Sequence, residues 1–214
     1  MNIVTEPYLI QLTHWPRAGK HILAQYNDES VIVYQAYRPA IGHFAAKHGY
    51  FGGEFSLSRM SWIKPGFLWM MYRSGWAGKP GQDVVLAIRL RRTAFDEILS
   101  QAVFSTYNEE LYRILDAWKQ LVKNSSVLLQ WDPDHNPSGA KVERRAIQLG
   151  LRGAVLEHYA HDWILEVEDI STFVRQQYLD VCTSDYERLM TPHESIYPIA
   201  DTQLAIKLGI SNLA

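Results

Sequence analysis

Val84-Val-Leu-Ala-Ile-Arg-Leu-Arg-Arg92 reads as a strand on its own terms. Alternation puts Val84, Leu86, Ile88 and Leu90 on one face and Val85, Ala87, Arg89 and Arg91 on the other. Directly after it, Thr93-Ala-Phe-Asp96 has the spacing of a capping box and predicts a helix to about Ala102. Upstream, Ser30–Tyr37 is a second strand, rich in β-branched and aromatic residues and ended by Pro39. Ala40–His48 then has helical spacing and stops at Gly49. Segments 67–72, 126–131 and 163–167 read as further strands. Asn108–Val122, Ala140–Leu149, Gly153–His161 and a segment capped by Ser171 and running to Cys182 read as helices. The order is neither strict strand–helix alternation nor all-β. It predicts an α+β fold, a single domain with one mixed or antiparallel sheet of about five strands flanked by helices. Residues 1–20 read as an extended arm anchored by Trp15, 21–182 as the domain, and 183–214 as an extension packing on it.

A chain of 214 residues can bury the core of one domain of about 150–200 residues and still carry terminal extensions. The formal net charge of −2 gives no bulk attraction for nucleic acid or membrane, so any anion site must come from local clustering. Cys182, the one cysteine, excludes an internal disulfide and a multi-cysteine zinc site and reads as a small buried residue. The first residues lack the basic start and apolar core of a signal peptide. The apolar run Phe67–Met71 falls far short of the ~20 residues that span a bilayer. A cytoplasmic protein without membrane partners is expected. The sequence has no Gly-x-Gly-x-x-Gly, no phosphate loop and no Gly-x-Ser-x-Gly, which argues against the common nucleotide-hydrolase and serine-hydrolase routes.

The run Ser56–Trp76 sets three cations, Arg59, Lys64 and Arg73, among large apolar residues that include Trp62, Trp69 and Trp76. An unpaired buried cation costs several kcal/mol, so these three must meet solvent, a carboxylate or an anionic ligand. Arg38 and Arg73 fall at expected strand ends, where sites on sheet proteins are commonly built. Arg89 and Arg91 share one strand face, about 7 Å apart, and guanidinium forks match phosphates. Asp132, Asp134 and His135 form a compact oxygen-and-imidazole cluster in what reads as an irregular loop, Asp132–Gly139. The same spacing is ordinary turn chemistry, and no metal is expected there. Glu143, on the expected charged helix, is a candidate site acid. The tryptophan-rich run and the Asp132–Glu143 region are expected to meet in one cleft. That cleft would bind a phosphate-bearing nucleotide through Arg59, Trp62, Lys64, Arg73, Trp76, Arg89, Arg91, Asp132 and His135.

Val33-Tyr-Gln-Ala-Tyr-Arg-Pro39, Met60-Ser-Trp-Ile-Lys-Pro65, Phe67–Trp76, Gln130-Trp-Asp-Pro-Asp-His135 and Glu143–Gly153 resemble, in order, the DUF4291 family, over roughly residues 20–180. That resemblance implies a domain identity and no activity. In layout the chain is also similar to ADP-ribosyltransferases. Those enzymes hold NAD with a first-strand arginine or histidine and a serine or tyrosine, and use a late glutamate to orient the ribose or nucleophile. The likeness would give catalytic roles to Arg38, to Tyr72 (or Ser56 or Ser58) and to Glu143, with NAD as cofactor and a nucleic-acid or protein acceptor. Two other readings stand beside it. One is a non-catalytic RNA- or nucleotide-binding module, and the other a metal-dependent phosphodiesterase using Asp132, Asp134 and His135.

Overall fold

The structure is a computed structural model and describes residues 3–183 and 186–211. The chain begins with β1 (Thr5–Pro7), α1 (Tyr8–His14), β2 (Gly19–Lys20), β3 (Leu23–Ala24), β4 (Ser30–Tyr37) and α2 (Pro39–His48). It continues with β5 (Ser61–Ile63), α3 (Phe67–Ser74), β6 (Val84–Arg91), α4 (Arg92–Gln101), β7 (Val103–Phe104), α5 (Glu109–Tyr112) and α6 (Leu115–Asn124). Next come β8 (Val127–His135), β9 (Lys141–Leu151), α7 (Ala154–His161), β10 (Ile164–Asp169) and α8 (Ser171–Cys182). Last are β11 (Met190–Pro192), β12 (Ser195–Ile196) and α9 (Thr202–Leu208).

The α+β class and a mixed five-stranded sheet are both present. That sheet runs β2-β9-β8-β7, with β5 also on β9; β2 and β7 pair in parallel and the others antiparallel. The strands expected to share one sheet divide, because β4, β6 and β10 form their own antiparallel sheet. The alternation in β6 sorts as the sequence indicates. Val84, Leu86, Ile88 and Leu90 join one buried cluster with β8, β9 and α4, while Val85 and Ala87 join a second with α3 and α8. Burying both faces requires a layer on each side, and the two clusters supply them.

Four segments differ from expectation. Residues 67–72 are not a strand but most of α3, whose Phe67, Leu68, Trp69, Met70, Met71 and Ser74 are all buried. Residues 141–151 are not a helix but β9, in which Lys141, Glu143 and Arg145 are exposed while Arg144 and Ala146 are buried. The expected loop at Asp132 is the end of β8, which runs past Pro133 to His135 with a register shift and closes the hairpin through 136–140. The helix expected over 108–122 is broken into α5 and α6 at Arg113, whose φ is 55°.

At the termini the arm is not extended throughout. It forms α1, and Trp15 does anchor it, with 6% exposure and an Nε1–H bonded to Glu194 O at 2.8 Å. Both ends are sewn to each other, β1 to β11 and β3 to β12. Ser171 is the first residue of α8 and not its cap: the N-cap is Ile170, without a side-chain bond, and Asp169 Oδ1 accepts from the Ser171 N–H at 2.9 Å. The expected capping box at α4 makes no side-chain bond, since the helix starts straight from β6 at Arg92. Cys182 is exposed at the end of α8, contrary to expectation. Among the described residues no helix is long and apolar enough to cross a membrane.

Candidate functional site

The two main sheets, packed on each other through a shared core, are also joined by a backbone bridge. The Tyr34 N–H donates to Lys64 O at 2.7 Å and the Lys64 N–H to Tyr34 O at 3.2 Å, joining β4 to the residue after β5. Past that bridge only side chains cross between these strands. Gln35 Nε2 donates to Ser61 Oγ at 2.8 Å and to Trp62 O at 3.2 Å. Tyr37 Oη and Ser61 Oγ lie 2.7 Å apart, and the Tyr159 hydroxyl donates to Gln35 Oε1 at 2.6 Å. Burial raises the Tyr37 phenol, against the hydrogen bonds from Ser61 and Gln35, and burial likewise raises Tyr159. Both hydroxyls therefore stay protonated at neutral pH.

Where the strands part, a cleft opens. Its inner part, about 270 Å³, is lined by Gln35, Tyr37, Trp62, Lys64, Arg73 and Gln82 among others. Its outer part, about 490 Å³, is lined by Arg38, Glu54, Ser56 and Arg59 among others. The two share Tyr37, Met60 and Ser61, so they are one continuous groove. Four cations from the sequence reading thus fall on one wall system: Arg38, Arg59, Lys64 and Arg73. Arg38 pairs with Glu54 at 2.6 Å, both well exposed. Arg59 and Arg73 are exposed and have no ion-pair partner among the described residues.

Lys64 is the unusual one. It is 6% exposed, and its ammonium reaches only Trp62 O, at 3.3 Å. Burial pushes its pKa down to about 7, the Arg73 charge pushes the same way, and the Asp132 carboxylate opposes them.

Asp132, on β8, does not line the groove but acts electrostatically on Lys64. Its two oxygens are held by one amide each, Gln130 Nε2 at 2.8 Å and Gln148 Nε2 at 2.7 Å. Trp62 and Met60 lie across the neighbouring stretch of β9, directly on Gly150. A Cβ there would sit 2.6 Å from Met60 Sδ and 3.0 Å from the indole, so only glycine admits them. Trp62 is half-buried and lines the inner cleft as expected.

Several expected site residues lie elsewhere. Glu143 is not beside the cleft: it is on the exposed face of β9, because a strand rather than a helix carries it. Tyr72 turns its ring away, onto His135 at 3.5 Å between centroids and near-parallel planes. His135 is 2% exposed with both ring nitrogens unpartnered, its pKa lowered first by burial, and it lines a different groove beside α1. Trp76 offers no free face, since its Nε1–H bonds to Pro137 O at 3.1 Å and its ring stacks on Tyr178. Arg89 and Arg91 pair across from Ile32 and Ser30, at the opposite end of β4 from Tyr37. At 3.3 Å per residue that is roughly 20 Å away. Arg89 is held by Glu166 at 3.8 Å and Ser30 Oγ at 3.1 Å, while Arg91 is exposed.

Asp132, Asp134 and His135 do not converge. No group of three such ligands that could hold a metal occurs among the described residues. Asp134 instead makes a buried pair with Arg144, at 2.6 and 2.7 Å, and Arg144 lies over the Trp15 ring at 5.1 Å. Beside this pair Glu194 is buried, accepting from the Phe67 N–H at 2.6 Å. Burial raises Glu194 to about 8 and the Asp134 charge adds to it, against the Phe67 bond and Arg144.

A family model described as "Domain of unknown function (DUF4291)" matches residues 21–197, most of the chain, and the protein belongs to that family. The match extends to residue 197 and so takes in β11 and β12. No curated protein matches the chain.

Proposed function

We propose that the groove between β4 and β5 binds a phosphate-bearing nucleotide, with NAD the favoured ligand, and that the chain transfers the ADP-ribosyl group from it to a nucleic-acid or protein acceptor, with nicotinamide as the leaving group. The observation that carries this is the set of cations on one groove, of which Arg59 and Arg73 have no ion-pair partner among the described residues. Phosphate oxygens match guanidinium forks, and the half-buried Trp62 on the groove wall supplies an aromatic surface for a flat ring. The transfer passes through oxocarbenium character and needs a fixed negative charge. Glu143 is badly placed for that role, whereas Asp132, clamped by Gln130 and Gln148 and acting electrostatically on Lys64, is suited to it. Calorimetric titration with NAD, ATP and a short RNA, at low and high salt, tests the reading. Arg73→Ala is expected to lower nucleotide affinity by about 1.5–3 kcal/mol, the scale of a charge-assisted hydrogen bond. Release of nicotinamide from NAD by the purified protein would mark it as an enzyme. No heat from any of the three ligands would leave the arginines as scaffold.

A further inference from the structure

Lys64 has more on the page than a phosphate contact needs. Its backbone is pinned on both sides by the Tyr34 bridge, so the root of the side chain is fixed. Its amine has one hydrogen-bond partner, a carbonyl, and no carboxylate within ion-pair distance among the described residues. It lines the inner cleft together with Arg73, Ser61 and Tyr37. A lysine whose only role was to neutralise a phosphate would be better left exposed, as Arg59 and Arg73 are, because burial disfavours its charged form. Burial beside a second cation is instead the arrangement that frees an amine lone pair for attack.

We propose that Lys64 is a nucleophile that condenses with a phosphate-bearing aldehyde held in this cleft. The ring-opened form of a ribose phosphate belongs to that class. It is also the sugar product left when the glycosidic bond of a nucleotide is broken and water takes up the sugar. The phosphate half of this inference rests on the nucleotide reading above. In the step, the amine nitrogen of Lys64 attacks the carbonyl carbon, and a proton passes from nitrogen to the former carbonyl oxygen, giving a carbinolamine. The C–O bond then breaks, the oxygen leaves as water with the second amine proton, and a C=N bond remains. No oxidant or reductant takes part. The Tyr37 and Ser61 hydroxyls, 2.7 Å apart on the cleft wall, are the groups present to pass those protons. Arg73 holds the phosphate and, by its charge, keeps the amine free.

The test uses the whole chain at pH 7 with pyridoxal 5′-phosphate, an aldehyde that carries a phosphate, followed by borohydride reduction and peptide mass mapping. Lys64 is expected to be labelled at least about tenfold faster than Lys47 and Lys119, which are exposed and lie outside the cleft. Inorganic phosphate should protect Lys64, and pyridoxal without the phosphate should react more slowly. Equal labelling of Lys64 by both aldehydes would keep the nucleophile and overturn the phosphate site. Labelling confined to exposed lysines would overturn the nucleophile, whatever calorimetry shows for nucleotides. The mapping is done on the wild-type chain, so the result does not depend on a variant that folds.

Discussion

Replacing Glu194 by glutamine should make the protein more stable, and increasingly so as the pH rises. Glu194 is 5% exposed and held on three sides. Its N–H donates to Gln11 Oε1 at 2.7 Å, its carbonyl accepts from Trp15, and its carboxyl accepts from the Phe67 N–H. The folded carboxyl titrates at about 8 instead of its ordinary 4.5, chiefly through burial. Between those values the folded state holds a proton that the unfolded chain has lost, so stability falls with rising pH, and above about 8 the loss is complete. At 1.36 kcal/mol per pH unit, the wild type forfeits roughly 3 kcal/mol at pH 7 and roughly 5 kcal/mol at pH 9. Glutamine keeps the oxygen that accepts from Phe67 and cannot ionise. Its amide adds two donors where the protonated acid has one, which offsets part of the gain by about 1 kcal/mol. Urea unfolding of E194Q and wild type, at pH 4.5, 6, 7.5 and 9, gives the difference directly. It should be near zero or slightly negative at the lowest pH and grow by about 1.4 kcal/mol per unit through the middle of the range. A difference that stays flat with pH would refute the argument.

Lys64→Met should show the opposite slope. The folded ammonium titrates at about 7 instead of 10.5, so the wild type bears the whole penalty below pH 7 and recovers as the pH rises to 10.5. The variant's advantage in urea unfolding should therefore be largest below pH 7 and vanish near pH 10.5. Arg144→Ala strands the buried Asp134 carboxylate and should cost about 3–5 kcal/mol. A loss below 1 kcal/mol in denaturant unfolding would mean that water already reaches the pair.

The strands β4 and β6 were legible because β-branched residues fill them and Pro39 and Thr93 punctuate their ends. α3 was misread because it is buried nearly all round, so Phe67-Leu-Trp-Met-Met-Tyr72 shows no polar stripe to reveal a helical period. The signal that could have found it is Gly75, which caps the helix at φ 58° with its N–H on Met71 O and Tyr72 O. β9 was misread for its charges, although Lys141, Glu143 and Arg145 alternate with Val142, Arg144 and Ala146 at the period of a strand. That one error moved Glu143 out of the cleft and hid Arg144. The cleft itself was half visible: Arg59, Lys64 and Arg73 announce that something must answer their charge. Which of them is buried depends on the pairing of Tyr34 with Lys64, a contact no local pattern encodes. The cluster of Asp134, Arg144 and Glu194 draws on segments too distant in sequence to be joined by reading along it.

The pairing of residues 5–24 with residues 190–196 governs when this fold can close. Gln11 Nε2 bonds to Thr191 Oγ1 at 2.7 Å across 180 positions, and Lys20 N–H to Ser211 Oγ across 191. At 5–20 residues per second of synthesis, the first of these partners emerge on the order of ten to forty seconds before the second. For that interval Tyr8, Trp15 and the β4 face that carries Ile32 and Tyr34 lack part of their cover. Contacts of such sequence separation are slow to close because the loop entropy is lost before anything is gained. The terminal belt is thus the last layer to dock. In refolding followed by pulsed hydrogen exchange, the Trp15 indole N–H should gain protection after the backbone amides of β6, and earlier protection would show that the belt forms without its partner strand. Until residues 190–196 have been made, the core lacks its closing seam.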